Sequence, residues 1–183
     1  GIDCGGSCPD CLEGIDFSGT WVQEDITGRP AVNAFFGGPD NVRNMFNITQ
    51  VSDRTDFQIE FETRLEEYHD VYGAALELEL DYETNFLGLD AVNYTTFLAA
   101  FDALQVAPNG ETSYYNADSG ALFSGRRPAE DVVDFTLTLM FGGEDGLRFN
   151  GGEDNPLLIS DGVGAGDRDF ELPFPYLENP LQE

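Results

Sequence analysis

The sequence predicts a compact, helix-rich α+β domain, and three observations lead to this class. Hydrophobic residues make up 41% of the 183 residues, which is enough to bury one core despite the charge of the chain. Large apolar side chains recur at helical spacing between positions 53 and 68, on Phe57, Phe61, Leu65 and Tyr68. Shorter apolar runs nearer the N-terminus are bounded by glycine and proline, as short strands are. We expect these strands to be few and antiparallel.

The short apolar runs predict two strands, Phe17–Ile26 and Ala31–Phe36, and the second ends at Gly37-Gly38. The first strand belongs to a cysteine-containing N-terminal extension, residues 1–26. Residues 27–183 are expected to form the single globular domain.

Three further stretches have helical features. Pro39-Asp40 opens a helical turn, and Asn93 or Thr95 caps a later helix that reaches Leu104. Residues 71–80 fit a helix and an extended segment equally well.

The stretch around which the rest of the chain is arranged lies at residues 125–141. Its adjacent Arg126 and Arg127 stand out in a chain with eight arginines, no lysine and 35 acids, so ion pairing within the fold is favoured over an anion site. Pro128, followed by two acids, begins a helix that Gly142-Gly143 ends. The same residues also alternate as a strand would, and we prefer the helix because of its start and stop signals.

The formal net charge of −27 restricts the partners of the chain. Phosphate groups would be repelled, which excludes nucleic acid and argues against an anionic membrane surface. No apolar run is long enough for a transmembrane helix, so membrane insertion is not expected. Copies of the chain also repel one another, so any assembly needs its acids neutralised by cations or screened by salt.

Three cysteines, Cys4, Cys8 and Cys11, form a C-x3-C-x2-C pattern close to the first residue. The spacing matches the iron–sulfur signature of radical-SAM enzymes, but no barrel strand precedes it. A zinc site lacks its fourth ligand, because the sole histidine, His69, is distant. We therefore expect one disulfide and one remaining thiol, in an oxidising compartment. The start at Gly1 is typical of a processed chain.

Two sets of residues are candidates for modification and for ligand binding. Asn47 and Asn93 stand in Asn-x-Thr sequons at predicted helix entrances, and we expect at least one of them to carry a covalent glycan. Asp161, Asp167 and Asp169 lie among glycines and could offer oxygen ligands to Ca²⁺. A solvated acidic loop explains the same three residues, and no cofactor is required.

The sequence predicts no catalytic residues. His69 is expected on the surface of a helix, so neither a Ser-His-Asp nor a Cys-His arrangement is evident. Acids are so abundant that a pair of carboxylates carries no information about hydrolytic chemistry. We expect that the protein is not an enzyme.

Several motifs together resemble the bacterial domain-of-unknown-function 4331 family. In chain order they are Gly28–Asn33 with Phe35-Phe36, Phe46-Asn47, Gly125–Asp134, Asp161-Gly162-Val163 and Phe174–Leu177. The resemblance covers about residues 28–180 and implies a secreted or cell-surface bacterial protein, without implying an activity. Family members have a longer N-terminal half. The shorter one here implies an uncovered edge or face that a neighbouring copy could cover.

These expectations lead to an extracellular structural subunit that self-assembles head-to-tail into a filament or surface layer. Its N-terminal segment docks on a neighbouring copy through Phe17, Trp21 and Val22. The alternative is a monomeric secreted module that binds a glycan or a metal ion.

Overall fold

The computed structural model describes residues 18–20, 30–101, 113–122, 125, 127, 129–153 and 155–172. The helices are α1 (Pro30–Phe36), α2 (Asp40–Ile48), a 3₁₀ helix (Val51–Phe57), α3 (Gln58–Leu76), α4 (Ala91–Phe101) and α5 (Val132–Phe141), and the strands are β1 (Tyr115–Asn116) and β2 (Ala121–Leu122). The expectation of a helix-rich fold is confirmed. The predicted strand Phe17–Ile26 lies outside the described residues except for 18–20, which are not in a strand.

Helix α3 is the longest described element, and its buried face explains its position. Phe61, Leu65, His69 and Gly73 are the buried residues, and they recur every four positions along one face. The helix ends at Leu76 because Glu77 adopts a left-handed conformation with φ of 55°. Leu78 N–H then donates to the Gly73 carbonyl at 2.9 Å, which folds the chain back over the end of the helix.

Aromatic side chains from the four helices α1, α2, α3 and α4 form the centre of the core. The Phe46 ring on α2 lies 4.9 Å from Phe61 on α3, in an edge-to-face arrangement. The Phe36 ring on α1 lies 5.8 Å from Phe61 and 5.9 Å from Tyr94 on α4. All four side chains are at most 1% exposed, so this cluster fixes how the first four helices pack.

The prediction of a strand at Ala31–Phe36 was wrong, because these residues form helix α1. Pro30 is the first residue of the helix, a position where its missing N–H has no partner to lose. Val32 and Phe36 are both fully buried and lie four positions apart, which is a helical spacing. The core therefore selects the helix over the strand that the flanking glycines indicated.

Helices α4 and α5 both begin with an aspartate that caps the N-terminus. Asn93 N–H donates to Asp90 Oδ1 at 2.8 Å, so neither Asn93 nor Thr95 is the cap as we had predicted. Asp134 N–H donates to Asp131 Oδ1 at 3.0 Å, and α5 begins at Val132. The helix prediction for this stretch is confirmed, although the start expected at Pro128 is wrong.

The two strands β1 and β2 form one antiparallel hairpin. Tyr115 pairs with Leu122 and Asn116 pairs with Ala121, while residues 117–120 form the turn. Glu130 closes the base of this hairpin. Its carboxylate accepts hydrogen bonds from Ser113 Oγ at 2.6 Å and from Tyr114 N–H at 3.0 Å.

Candidate functional site

Three carboxylates meet where α5 begins, and they form the acidic cluster. Asp131 is the cap of α5, Asp134 lies in its first turn, and Asp161 comes from the segment that follows α5. One oxygen from each residue lies within 4.8 Å of the others. Asp131 and Asp161 are exposed and Asp134 is half-buried. The cluster therefore faces solvent and is accessible to ions.

Backbone hydrogen bonds hold the acidic cluster in place. Asp131 Oδ1 accepts from Asp134 N–H at 3.0 Å, and Asp134 Oδ1 accepts from Asp161 N–H at 2.8 Å. Asp161 Oδ1 accepts from Val163 N–H at 2.8 Å. Each carboxylate uses one oxygen in this chain of contacts, so its second oxygen can turn towards a shared ligand.

A groove of about 250 Å³ adjoins the cluster between the start of α5 and residues 161–170. Asp131 and Asp161 line it together with Arg168, and Val163 and Phe170 add apolar surface. The groove therefore combines anionic, cationic and apolar side chains within one concave surface.

Glu130 fixes the loop that leads into this groove. Burial alone would raise its pKa, but hydrogen bonds from Ser113 Oγ, Arg127 N–H and Tyr114 N–H and the charge of Arg127 outweigh burial and lower it. The Arg127 guanidinium lies 3.4 Å from the Glu130 carboxylate. The predicted ion-pairing role of Arg127 is thus confirmed, while Arg126 lies outside the described residues.

The acidic cluster has ligands of the type that hard cations select. Ca²⁺ binds carboxylate and carbonyl oxygens at about 2.3–2.6 Å, so two oxygens on opposite sides of the ion are roughly 5 Å apart. The separation within the cluster fits that span. Three carboxylates would supply half of the six ligands that Ca²⁺ needs as a minimum, and water or backbone oxygens would supply the rest.

The structure brings Asp161 together with Asp131 and Asp134, which differs from the predicted set of ligands. Asp167 and Asp169 lie in the same exposed segment, but they are not part of this cluster. Asp169 Oδ1 accepts instead from Glu171 N–H at 2.9 Å. The prediction that Asp161, Asp167 and Asp169 bind Ca²⁺ stays a prediction.

The two sequon asparagines occupy different environments. Asn93 is exposed in the first turn of α4, as expected. Asn47 is half-buried in the last turn of α2, so its predicted place at a helix entrance was wrong. Its Oδ1 accepts from Asn33 Nδ2 at 2.6 Å.

The remaining predicted sites lie outside the described residues. They are the cysteines Cys4, Cys8 and Cys11 and the docking residues Phe17, Trp21 and Val22.

No protein-family model matches the chain, and no curated protein or solved structure is significantly similar to it. The resemblance to the domain-of-unknown-function 4331 family therefore stays a prediction. Of the helices in the described part of the chain, none has the length and apolar character that crossing a membrane requires.

The prediction that His69 lies on the surface was wrong, because it is 1% exposed. Its spacing carried the missing signal, since His69 follows Leu65 by four positions and Phe61 by eight. The sequence predicted Asp131 to be an acid in the first turn of this helix and assigned no role to Asp134. It held no signal that Asp161, 27 residues further on, would join them.

Proposed function

We propose that this chain is an extracellular structural subunit that self-assembles head-to-tail into a filament or surface layer. The observation that carries the proposal is a set of four large apolar side chains, each at least half exposed, in the last turn of α2 and the first turns of α3 and α4. They are Met45 and Ile48 on α2, Ile59 on α3 and Val92 on α4.

These side chains lie on elements that the fold brings together. Met45 and Ile48 are three residues apart and share one face of α2. Gln58 Nε2, next to Ile59, donates to Thr95 Oγ1 at 3.0 Å, which joins the start of α3 to the start of α4. An assembly could bury these side chains, at about 1.5–3 kcal/mol for each large apolar side chain fully removed from water.

The occupant of this surface in the proposal is the N-terminal segment, residues 1–26, of a neighbouring copy. Phe17, Trp21 and Val22 provide the apolar side chains that would pack there. Head-to-tail docking of this kind is heterologous, so it extends into filaments unless its rotation closes a ring.

The charge of the chain sets the conditions under which assembly should occur. At −27 per copy, repulsion opposes association at low ionic strength. Divalent cations would neutralise acids between copies, so filaments should form when Ca²⁺ is added. The proposal includes no catalytic activity.

Light scattering and electron microscopy at rising protein concentration, with and without Ca²⁺, test this function. We expect large assemblies from the full chain and soluble monomers after deletion of residues 1–26. Filaments that persist after the deletion, or a full chain that stays monomeric with Ca²⁺, would show that the proposal is wrong.

A matched pair of substitutions on α3 tests the surface itself. Ile59 is 72% exposed and Val71 is 64% exposed on the same helix. Both substitutions, Ile59→Glu and Val71→Glu, add one negative charge to an exposed position. We expect Ile59→Glu to prevent assembly and Val71→Glu to permit it, and equal effects would show that charge alone is responsible.

A second candidate function, a metal-binding module, is favoured by the acidic cluster of Asp131, Asp134 and Asp161. In this case the chain is a monomeric secreted module that binds Ca²⁺, and the neighbouring groove provides room for a glycan. Calorimetric titration with Ca²⁺ tests it. Asp134→Asn should weaken binding at least tenfold, whereas Asp167→Asn, an exposed acid outside the cluster, should leave it unchanged. If Asp167→Asn weakens binding and Asp134→Asn does not, the result would favour the predicted set of ligands, Asp161, Asp167 and Asp169.

A further inference from the structure

His69 lies at the contact between α3 and α5 and is 1% exposed. Its ring stacks on Phe141, the last residue of α5, with centroids 5.2 Å apart and 29° between the planes. The Tyr82 ring meets it edge-on at 5.4 Å. One imidazole therefore joins α3, the segment after it and the C-terminal end of α5.

The hydrogen bond of this ring determines which of its two nitrogens carries the proton in the neutral form. His69 Nδ1 lies 2.8 Å from the Leu65 carbonyl oxygen, which can only accept, so Nδ1 carries the proton. Nε2 of the neutral ring is then a lone-pair acceptor, and within the described residues no donor reaches it. The Met140 carbonyl is near enough to favour a proton on the ring, but it lies outside hydrogen-bond geometry.

Charged and titratable groups surround the ring on each side. Burial lowers the pKa of His69, and Arg148, from the turn after α5, lowers it further. The carbonyls of Leu65 and Met140 and the carboxylate of Asp81 oppose that direction without reversing it. The other titratable side chains nearby are Tyr82, Tyr72, which packs edge-on against Phe141, and Glu66, whose pKa is raised by burial and then by the charge of Asp81.

We propose that His69 is a pH-sensitive switch, whose neutral ring joins α3 to α5 and whose protonation opens that contact. A charged imidazolium would have to remain between two aromatic rings and away from water, which is unfavourable unless the contact opens. Opening exposes the ring to solvent and separates Phe141 from α3. The C-terminal half of α5 is thus the part of the fold that acid should loosen first.

The sign of the effect follows from linkage. The ordinary pKa of histidine is 6.5, and well above that pH the ring is neutral in both the closed and the open state. In that range the protonation of His69 therefore does not change the equilibrium for opening. Below 6.5 the open state binds a proton that the closed state does not. The equilibrium constant for opening should then rise by up to about tenfold per pH unit, until the closed state also titrates.

Two measurements on the unmodified protein test the proposal. The chain has one histidine, so its ring protons identify themselves in an NMR titration. We expect their midpoint below pH 6.5. Amide hydrogen exchange, corrected for its intrinsic pH dependence, should show faster opening around residues 139–142 as pH falls from 7 to 5. A midpoint at or above 6.5, or opening that does not change with pH, would overturn the proposal.

Two variants distinguish the effect of His69 on the pH dependence of opening from the effect of the nearby carboxylates. His69→Gln removes the titrating ring and should abolish the pH dependence of opening. The pKa of Glu66 is raised, largely by burial and then by Asp81, so Glu66→Gln is the control and should retain the dependence. If Glu66→Gln abolishes it instead, the carboxylate is responsible and the proposal is wrong. If His69→Gln does not fold, the two measurements on the unmodified protein still decide.

Discussion

Phe61→Ala should be one of the most destabilising single substitutions in this chain, because Phe61 is the ring that joins three helices. It is fully buried on α3. Its centroid lies 4.9 Å from Phe46, 5.8 Å from Phe36 and 6.4 Å from Phe57. Truncation removes all three ring contacts at once and leaves a cavity that rigid aromatic neighbours cannot fill.

The expected loss of unfolding free energy is about 3–5 kcal/mol, the range for a buried phenylalanine replaced by alanine. Aromatic pairs add about 0.5–1.5 kcal/mol each beyond area burial, so three lost pairs place the value near the upper end. For a chain of this length, each kcal/mol lowers Tm by roughly 2–4 °C, so Tm should fall by about 10–20 °C.

Urea denaturation followed by circular dichroism measures the change, with the slope m expected to stay constant. Val71→Ala is the matched control, because Val71 is 64% exposed on the same helix and should cost less than about 0.5 kcal/mol. A loss below about 1.5 kcal/mol for Phe61→Ala, or equal losses for both variants, would show that the Phe61 ring does not hold these helices together.

Four further outcomes are expected. Gly73→Ala should destabilise by about 1–3 kcal/mol in urea denaturation, because an added Cβ would lie 3.0 Å from the Leu78 carbonyl oxygen and 3.2 Å from Leu80 Cβ. Glu130→Gln should lower the free energy of unfolding at pH 7. The variant should then lose less stability on acidification than the parent protein does. The pKa of Glu130 is lowered in the fold, so its contribution is present above pH 4.5 and lost as pH falls below that value; a variant with the same pH profile as the parent would contradict this. Mass spectrometry of native material should find a glycan on Asn47 or Asn93, and unmodified peptides at both would contradict the prediction. Thiol counting should find one free cysteine among Cys4, Cys8 and Cys11, and absorption typical of an iron–sulfur cluster would exclude the disulfide.

Local patterns predicted most of the helices because the core follows the same period as the sequence. The stripe from Phe61 to Leu65 continues to His69 and Gly73, two residues that apolar periodicity does not mark. Burial of His69 depends on the rings of Tyr82 and Phe141, which come from distant parts of the chain. No spacing argument within α3 could supply those partners.

At the start of α5, local sequence likewise predicted the helix, whereas contacts with distant residues determine where it begins. Proline and acids predicted a helix start at Pro128, but Glu130 is held by Ser113 and Tyr114, and the helix begins four residues later, at Val132. The acidic cluster was harder to predict, since Asp161 joins it through a hydrogen bond from its own backbone N–H to Asp134. That contact depends on how the segment after α5 turns back, which residue types alone do not determine.

The way Glu130 closes the hairpin makes the turn at its tip a tolerant place for insertion. Ser113 and Tyr114, at one end of the hairpin, are buried and bonded to Glu130 from the other end. The turn at residues 117–120 is exposed throughout. A peptide tag placed there, or a protease cut made there, would leave the two ends joined by the same carboxylate. The hairpin tip therefore gives a position for labelling the protein without disturbing its core.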